Sequence, residues 1–314
     1  MPIKIPDDLP ARRTLENEGV VVIGEDDAIR QDIRPLRLAV LNLMPHKIRT
    51  ETQLTRLIGA TPLQVELTLL TTSSYTPTNT PQSHMLAFYK EWADVSREKF
   101  DGLIITGAPV EEMPFEDVDY WPELKDILDW SRENVTSAFN ICWGGQAALY
   151  HYHGVPKYGL EQKMFGVFPH RVLNPSSVLM RGFNDQFMVP VSRYTENHRE
   201  DVEGIQGLEI LAESDESGIC LIHDTILNQV YMFNHLEYDA ATLNDEYQRD
   251  IKTPRGIHVP KNYYTDDDPA KPPINSWRSH GHLLFGNWIN ALYQETPFDT
   301  ALIGDRDEKR AAAE

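Results

Sequence analysis

The chain has 314 residues, of which 41% are hydrophobic, with two cysteines and a formal net charge of −19 at pH 7. This length can bury one large core or two modest ones, and two cysteines cannot form a disulfide framework. The acidic balance argues against broad contact with nucleic acid or anionic lipid, which needs a surplus of Lys and Arg. We therefore expect a globular protein with no nucleic-acid or membrane partner.

The first 34 residues mix charges and prolines around one short apolar patch, Val20-Val21-Val22-Ile23. We expect this segment to form an arm that packs on the surface or on a partner. It contains no long apolar stretch of the kind found in signal peptides, and no later segment is apolar for long enough to span a bilayer. The few cysteines favour a reducing, cytoplasmic setting.

From residue 35 onward, apolar strands alternate with helices, which is typical of a parallel sheet covered on both faces. Hydrophobic runs, capping residues and glycines locate these elements. The predicted strands are 36–43, 65–70, 102–107 and 137–141, and the predicted helices are 50–58 with Thr50 or a neighbour as its cap, 83–92, 122–133 and one opened by Gly144-Gly145.

Beyond residue 160, short apolar runs separated by turn residues predict an antiparallel continuation of the sheet. These runs are 165–168, 187–191, 208–212, 218–223 and 229–233, followed by helices at 240–251 and 282–293 with a loop at 253–276 between them. The sequence thus predicts an α/β fold with a doubly wound, mostly parallel sheet and an antiparallel extension. We assign residues 35–298 to one catalytic domain and 299–314 to a flexible tail.

Cys142 stands where an apolar run ends and a predicted helix begins, in Asn140-Ile141-Cys142-Trp143-Gly144-Gly145. A strand-to-helix elbow exposes a nucleophile, because a sharp turn between small neighbours, here Asn140 and Gly144, projects the side chain from the strand end. Amides at the helix start favour a thiolate and can hold a developing oxyanion. The alternative is a buried structural cysteine just past a core strand.

A cysteine nucleophile needs a base, and the base needs an orienting acceptor. In an extended segment His235 and Glu237 point to the same side, because side chains alternate with period two. A carboxylate beside an imidazole fixes its tautomer and raises its basicity. A solvated loop also explains this pair by itself, but together with the elbow at Cys142 the pair indicates nucleophilic catalysis.

The other histidines and the second cysteine are interpreted as structural. His151 and His153 fall on different faces of a helix, and no cysteine or carboxylate cluster completes a site around them, so we expect no metal. Cys220 lies in the middle of an apolar strand, where burial keeps a thiol inert.

The cysteine elbow followed much later by His-x-Glu resembles the glutamine amidotransferase superfamily. Further motifs are similar to those of the homoserine O-acyltransferases of methionine biosynthesis, and they run from about residue 38 to residue 298, nearly the whole chain. These motifs are 41–45, 50–53, 79–81, 100–104, 106–109, 120–122, 192–194, 235–239 and 276–281.

This resemblance implies a class I glutamine amidotransferase-like, flavodoxin-like fold and a homodimeric cytoplasmic enzyme without a bound cofactor. Its substrates would be an acyl-coenzyme A and L-homoserine. The resemblance also implies that Cys142 is the acylated nucleophile, His235 the base and Glu237 the partner of the base. Backbone amides near Trp143 would then hold the oxyanion.

The resemblance places three more residues on substrate-contacting positions: Lys163, Ser192 and Arg249. The planar fork of Arg249 suits the amino acid carboxylate, although a surface ion pair would also explain this arginine. Two positions depart from the family pattern. His46 stands where some members carry a lysine beside Lys47, and Asn234 replaces the glycine that often precedes the catalytic histidine.

Glu111 lies at the position that distinguishes acyl donors within the resemblance, where glycine accompanies succinyl transfer and glutamate accompanies acetyl transfer. The physics agrees, because a carboxylate about 4 Å from the succinyl carboxylate costs roughly 4 kcal/mol at an effective dielectric of about 20, or about a thousandfold in rate. Acetyl-coenzyme A is therefore the expected donor. The alternative is a solvated loop glutamate, as we expect for Glu112.

Three other functions are compatible with the same residues. Homoserine O-succinyltransferase is the alternative within the family. A glutamine amidotransferase or gamma-glutamyl hydrolase would use the same three catalytic residues on an amide and would release ammonia or glutamate. A noncatalytic protein on this fold would use the cysteine as a redox or ligand sensor.

Overall fold

The computed structural model describes residues 3–6, 8–17, 22–23, 34–74 and 79–304. Within these residues one sheet contains twelve strands. They are β1 (Ile3–Lys4), β2 (Val22–Ile23), β3 (Leu36–Leu41), β4 (Val65–Thr71), β5 (Tyr89–Glu91), β6 (Phe100–Ile105), β7 (Val135–Ile141), β8 (Tyr158–Val172), β9 (Gln186–Glu196), β10 (Leu208–Ser214), β11 (Gly218–Asp224) and β12 (Gln229–Met232).

Helices connect most of the parallel strands and cover the sheet. They are α1 (Pro10–Asn17), α2 (Lys47–Ile58), α3 (Gln82–Phe88), α4 (Trp92–Val95), α5 (Trp121–Asn134), α6 (Trp143–His153), α7 (Arg199–Val202), α8 (Thr242–Asp250) and α9 (Arg278–Glu295). None of the helices in the described ranges combines the length and apolarity needed to cross a bilayer.

The strand order is β2-β1-β4-β3-β6-β7-β12-β11-β10-β8-β9, and β5 also pairs with β4. All pairings on the path from β2 to β12 are parallel, as is the pairing of β5 with β4. The pairings from β12 to β9 are antiparallel. This arrangement confirms the predicted doubly wound, mostly parallel sheet with an antiparallel extension.

Side chains of β3 show how the two faces of the sheet are buried. Leu38 and Val40 belong to one core cluster, which includes Trp288 of α9, whereas Ala39 and Leu41 belong to the other. Alternate residues of a strand point to opposite faces, so a strand covered on both sides must be apolar throughout. That is why β3 and β6 appear in the sequence as mainly apolar runs, whereas β7 also buries Asn140 through hydrogen bonds to β12.

The described part of the N-terminal arm packs on the rest of the domain through its apolar side chains. Its apolar side chains Ile5, Leu9, Ala11 and Leu15 are buried in the core. Strand β1 pairs with β4 and β2 pairs with β1, so the arm extends the parallel edge of the sheet. Residues 20–21 of the predicted apolar patch lie outside the described residues.

Two helix predictions are corrected by the structure. Helix α2 begins at Lys47 rather than near Thr50, and the Thr50 hydroxyl bonds back to the carbonyl of His46 one turn earlier. The predicted helix 83–92 ends at Phe88, because Tyr89 pairs with Leu69 of β4 and its hydroxyl donates to Glu51 at 2.6 Å. A tertiary contact thus overrides the local helical pattern.

Part of the predicted tail is described and packs on the domain. Residues Thr300–Leu302 form a 3₁₀ turn, and Ile303 is buried. The Lys99 ammonium donates to the Ile303 carbonyl at 3.0 Å. Residues 305–314 of the predicted tail lie outside the described residues.

Candidate active site

Cys142 forms the turn between β7 and α6. Its φ of 51° and ψ of −119° are strained for a residue with a side chain, and such strain is maintained only where the surrounding structure fixes the backbone. The Cys142 amide donates to the Met232 carbonyl of β12 at 2.6 Å, and its carbonyl accepts from the Gln146 amide at 3.0 Å. The side chain is partly exposed. These features match the predicted elbow.

Two glycines give the elbow its space. A Cβ added at Gly144 would lie 2.6 Å from the Thr106 carbonyl oxygen, and one at Gly107 would lie 3.2 Å from the Cys142 Cβ. A side chain at either position would therefore displace the nucleophile or the helix start. Asn140, predicted as another small neighbour, acts differently: its buried amide donates to Gln229 Oε1 at 3.0 Å and to the Val230 carbonyl at 3.2 Å, which ties β7 to β12.

His235 follows β12, the strand next to β7, and its imidazole and the Cys142 side chain line the same cavity. Its Nδ1 lies 2.6 Å from Glu237 Oε1, which leaves Nε2 for the thiol. The predicted pairing of His235 with Glu237 is therefore present, but its geometric basis is different. The chain turns here, with the Tyr238 amide donating to the His235 carbonyl at 3.3 Å, and is not extended.

The environment of His235 favours its protonated form. Burial alone would lower the pKa of this imidazole, but the charge of Glu237 and the contact with Cys142 raise the pKa well above its ordinary value. The ring of Tyr238 stacks on the imidazole with centroids 4.1 Å apart and planes 17° apart. The raised pKa favours an imidazolium at His235, which can donate a proton to a neighbouring group.

A cavity of about 580 Å³ opens beside the Cys142 side chain. The structure brings most of the predicted site residues to its wall. They are Cys142, His235, Lys163, Ser192, Arg249 and Glu111. Glu237 lies behind His235, and the Trp143 indole is buried in the core while its amide stands at the start of α6. Since the first amides of a helix have no intrahelical acceptor, the Trp143 amide can serve an oxyanion.

Glu246 of α8 is a central residue that the sequence analysis missed. Its Oε2 accepts from Lys163 Nζ at 3.0 Å and from the Ser192 hydroxyl. Burial would raise the pKa of Glu246, but Lys163 and Ser192 hold the pKa below its ordinary value. The only sequence signal was helical spacing, because Glu246, Arg249 and Asp250 lie within about one turn of α8.

Arg249 lies at the cavity wall with its guanidinium on the neighbouring Asp250. Its Nη2 donates to Asp250 Oδ2 at 2.9 Å, and the arginine side chain is 64% exposed. Asp250 also accepts from Lys163 at 3.3 Å. The cavity therefore presents both cationic and anionic groups, which suits a zwitterionic amino acid.

Glu111 and Glu112 have separate environments. The Glu111 carboxylate faces the cavity and accepts from the Tyr194 amide at 2.9 Å, and burial raises its pKa. Glu112 is exposed and forms an ion pair with Arg255 at 2.8 Å. Both glutamates line the cavity, but the Glu111 carboxylate is the one bonded to the backbone of β9, whereas that of Glu112 is exposed.

The two departures from the family pattern have different surroundings. His46 is exposed at the start of α2, and the neighbouring Lys47 is buried, with its ammonium donating to the Asn42 carbonyl. Burial lowers the Lys47 pKa to about 8. Asn234 is fully buried and donates to His170 Nε2 at 2.9 Å, so its side chain fixes the backbone just before His235.

His170 belongs to a buried neutral network behind His235. Its Nδ1 lies 2.9 Å from the Phe168 carbonyl, and its Nε2 lies 2.9 Å from Asn234 Nδ2 and 3.2 Å from the Ser217 hydroxyl. This pattern requires the Nδ1–H tautomer, in which Nε2 accepts. Burial lowers the His170 pKa to about 4.

We expect the protein to lose stability on acidification through His170. The folded protein resists protonation of this ring down to about pH 4, whereas an unfolded histidine titrates near 6.5. The unfolded state therefore binds the extra proton between these values, and the free energy of unfolding falls by about 2 kcal/mol from about pH 7 to about pH 5. Urea unfolding at the two pH values measures this change.

A His170→Gln variant should show a smaller decrease over the same pH interval, since its side chain stays neutral. His46→Gln, which removes an exposed histidine, is the matched control and should behave like the wild type. Equal pH dependence in all three proteins would contradict the assignment.

The remaining sequence-selected residues have structural partners. His151 lies 2.8 Å from Asp129, and His153 lies 2.7 Å from Asp224. Cys220 is buried, and burial raises its pKa to about 12. No group of metal-ligating side chains is present in the part of the chain that the structure describes.

Comparison with known proteins gives a family and a fold. The family model for homoserine O-succinyltransferase matches residues 2–298. A protein of Rhizobium leguminosarum named homoserine O-acetyltransferase is 58% identical over 304 residues, which cover 97% of this chain and 99% of that protein. A protein of Hyphomonas neptunium with the same name is also 58% identical, with coverage of 97% and 100%.

Solved structures resemble the fold at low sequence identity. A glutamine amidotransferase from Thermotoga maritima superimposes with a TM-score of 0.51 at 11% identity, covering 83% of this chain and 99% of its own. A glutamine amidotransferase from Methylobacillus flagellatus gives a TM-score of 0.51 at 12% identity, with coverage of 82% and 95%. These likenesses confirm the predicted class I glutamine amidotransferase-like fold.

Proposed function

Because the chain belongs to the homoserine O-succinyltransferase family of acyltransferases, we propose that it transfers an acetyl group from acetyl-coenzyme A to the hydroxyl of L-homoserine, in L-methionine biosynthesis. One observation carries the proposal. A partly exposed thiol on a strained elbow shares one cavity with the His235 imidazole, which is paired with Glu237, and with groups of both charges.

In the first half-reaction, Cys142 Sγ attacks the thioester carbonyl carbon of acetyl-coenzyme A. The carbonyl oxygen becomes an oxyanion, which the amides at the start of α6 stabilise. When the bond between carbon and the coenzyme A sulfur breaks, the imidazolium of His235 protonates the departing thiolate from Nε2. Glu237 holds Nδ1 and keeps the ring in this orientation.

In the second half-reaction, neutral His235 takes the proton of the homoserine hydroxyl as the oxygen attacks the acyl-thioester carbon. The bond between that carbon and Sγ breaks, and the proton on His235 again faces a Cys142 thiolate. The enzyme thus returns to its starting state without a bound cofactor.

Charges on the cavity wall support binding of the amino acid. The ammonium of homoserine can approach the carboxylate of Glu246, and its carboxylate can approach Lys163 and Arg249. Arg249 would exchange its bond to Asp250 for the substrate, since that carboxylate is already shared with Lys163. Ser192, which donates to Glu246, would orient that carboxylate.

Glu111 supports acetyl over succinyl as the group transferred. Its carboxylate faces the same cavity as Cys142, so the terminal carboxylate of a succinyl group would meet a like charge. The relatives from Rhizobium leguminosarum and Hyphomonas neptunium are both named homoserine O-acetyltransferase, in agreement with this assignment.

A comparison of donors and acceptors tests the proposal. With acetyl-coenzyme A and L-homoserine, initial rates should follow ping-pong kinetics, with parallel double-reciprocal lines. Transfer from succinyl-coenzyme A should be much slower. Glutamine hydrolysis faster than homoserine acetylation would instead indicate an amidotransferase-type activity, and succinyl preference would reassign the donor.

We also propose that the enzyme works as a homodimer in the cytoplasm. The support for the homodimer is the family resemblance. The apolar side chains of the arm whose burial the structure describes, Ile5, Leu9, Ala11 and Leu15, are buried within the chain. The two free cysteines are compatible with a reducing compartment.

A further inference from the structure

A carboxylate can reject a succinyl group only if it cannot move aside. A glutamate side chain has three rotatable bonds, and an unrestrained one could rotate away from an incoming charge at the cost of a rotamer change. Selectivity at Glu111 therefore depends on the groups that immobilise its backbone and its carboxylate.

Lys157 holds the backbone of the Glu111 segment through two hydrogen bonds. The Lys157 ammonium donates to the carbonyl of Glu111 and to that of Met113 at 2.8 Å. The loop therefore cannot easily move the whole residue out of the cavity.

The carboxylate itself is held by two consecutive residues of β9. Glu111 Oε2 accepts from the Tyr194 amide at 2.9 Å and lies 3.4 Å from the Thr195 hydroxyl oxygen. The Thr195 residue is 3% exposed. The Tyr194 amide belongs to the backbone of β9, so among the described residues the Thr195 hydroxyl is the hydrogen-bonding group that a side chain supplies to this carboxylate.

The Thr195 hydroxyl also contacts Gln146 of α6. The Thr195 hydroxyl oxygen lies 3.0 Å from the atom assigned as Gln146 Oε1. The other end of this carboxamide, Gln146 Nε2, is buried and has no hydrogen-bond partner among the described residues. A hydroxyl has one proton, so it cannot donate fully to Gln146 and to Glu111 at once. Rotating the carboxamide by 180° lets Nε2 donate to Thr195, which frees the threonine proton for Glu111 and satisfies the buried nitrogen.

We propose that Thr195 is the positioning residue for Glu111, and that a hydrogen-bond chain from Gln146 Nε2 through the Thr195 hydroxyl to Glu111 Oε2 fixes the carboxylate that selects the acyl donor. The first residue of this hydrogen-bond chain, Gln146, lies on α6, the helix that follows Cys142. This inference rests on the proposed acetyl selectivity and adds to it the residues that maintain it.

The test compares donor ratios rather than rates. In Thr195→Val, which keeps the shape but removes the hydroxyl, the ratio of kcat/KM for succinyl-coenzyme A to that for acetyl-coenzyme A should rise about tenfold, because one of two hydrogen bonds to the carboxylate is lost. Thr195→Ser should retain the wild-type ratio. If the valine variant does not fold, Thr195→Ala provides the same measurement.

A double-mutant cycle separates positioning from a general structural effect. In a Glu111→Gly background, Thr195→Val should leave the donor ratio unchanged, because there is no carboxylate to position. Two results would overturn the inference. In the first, the wild type prefers acetyl and Glu111→Gly shifts that preference, but Thr195→Val keeps the wild-type donor ratio. In the second, Thr195→Val shifts the donor ratio equally in the wild-type and Glu111→Gly backgrounds. A wild type without acetyl preference overturns the proposed donor and this inference together.

Discussion

Replacing Cys142 with alanine is expected to lower the rate of acyl transfer by at least about 10⁴-fold, because the proposed reaction passes through a covalent bond to this sulfur. The protein should still fold, since the side chain is partly exposed and the strained backbone is held by the Met232 carbonyl. Steady-state transfer to homoserine measures the loss of activity.

Intact-protein mass spectrometry tests the intermediate directly. After incubation with acetyl-coenzyme A and no homoserine, the wild type should gain the mass of one acetyl group, and Cys142→Ala should not. Cys220→Ala is the matched control: this cysteine is buried, burial raises its pKa to about 12, and its loss should leave the acyl-enzyme intact. Equal activity of wild type and Cys142→Ala would end the proposal of covalent catalysis.

Glu111→Gly is expected to change the preferred donor from acetyl- to succinyl-coenzyme A. Two carboxylates about 4 Å apart at an effective dielectric of about 20 repel by roughly 4 kcal/mol, which corresponds to about a thousandfold in the donor ratio. The substitution also removes side-chain volume from the cavity wall. Values of kcat/KM for the two donors, measured at the same homoserine concentration, give this ratio.

Glu112→Gln is the matched control for the donor switch, because Glu112 is adjacent in sequence but exposed and paired with Arg255. It should leave the donor ratio close to that of the wild type. The preference of the wild type for acetyl over succinyl should weaken on acidification, because protonation removes the charge of Glu111. Burial raises the pKa of this carboxyl, so the change should occur at a higher pH than for an ordinary carboxyl. A Glu111→Gly enzyme that still prefers acetyl by the wild-type ratio would exclude the charge as the selector.

The sheet and the elbow could be predicted because both depend on patterns within short segments of the sequence. Strands buried on two faces must be apolar throughout, and the break at Cys142 followed by two glycines marks the turn. The segment from Tyr89 to Glu91 could not be predicted in this way. Its strand conformation depends on β4 and on the Tyr89 contact with Glu51, which are distant in sequence.

The candidate site was partly predictable for a similar reason. Cys142, His235 and Glu237 follow strand ends, where parallel topology collects side chains, and the resemblance supplied Lys163, Ser192, Arg249 and Glu111. Glu246 and Tyr238 were missed, because their importance comes from packing. Glu246 gains its role from the donors Lys163 and Ser192, and Tyr238 from its stacking on His235. The catalytic roles of these residues stay predictions.

The pairing of β7 with β12 determines how the enzyme loses activity on heating. Cys142 follows Ile141 and His235 follows shortly after Met232, and Ile141 and Met232 are direct partners in the ladder. The distance between sulfur and imidazole is thus set by the spacing of neighbouring strands at the centre of the sheet rather than by surface loops. We therefore expect heat to inactivate the enzyme when the whole domain unfolds cooperatively, and not through earlier local unfolding of surface loops.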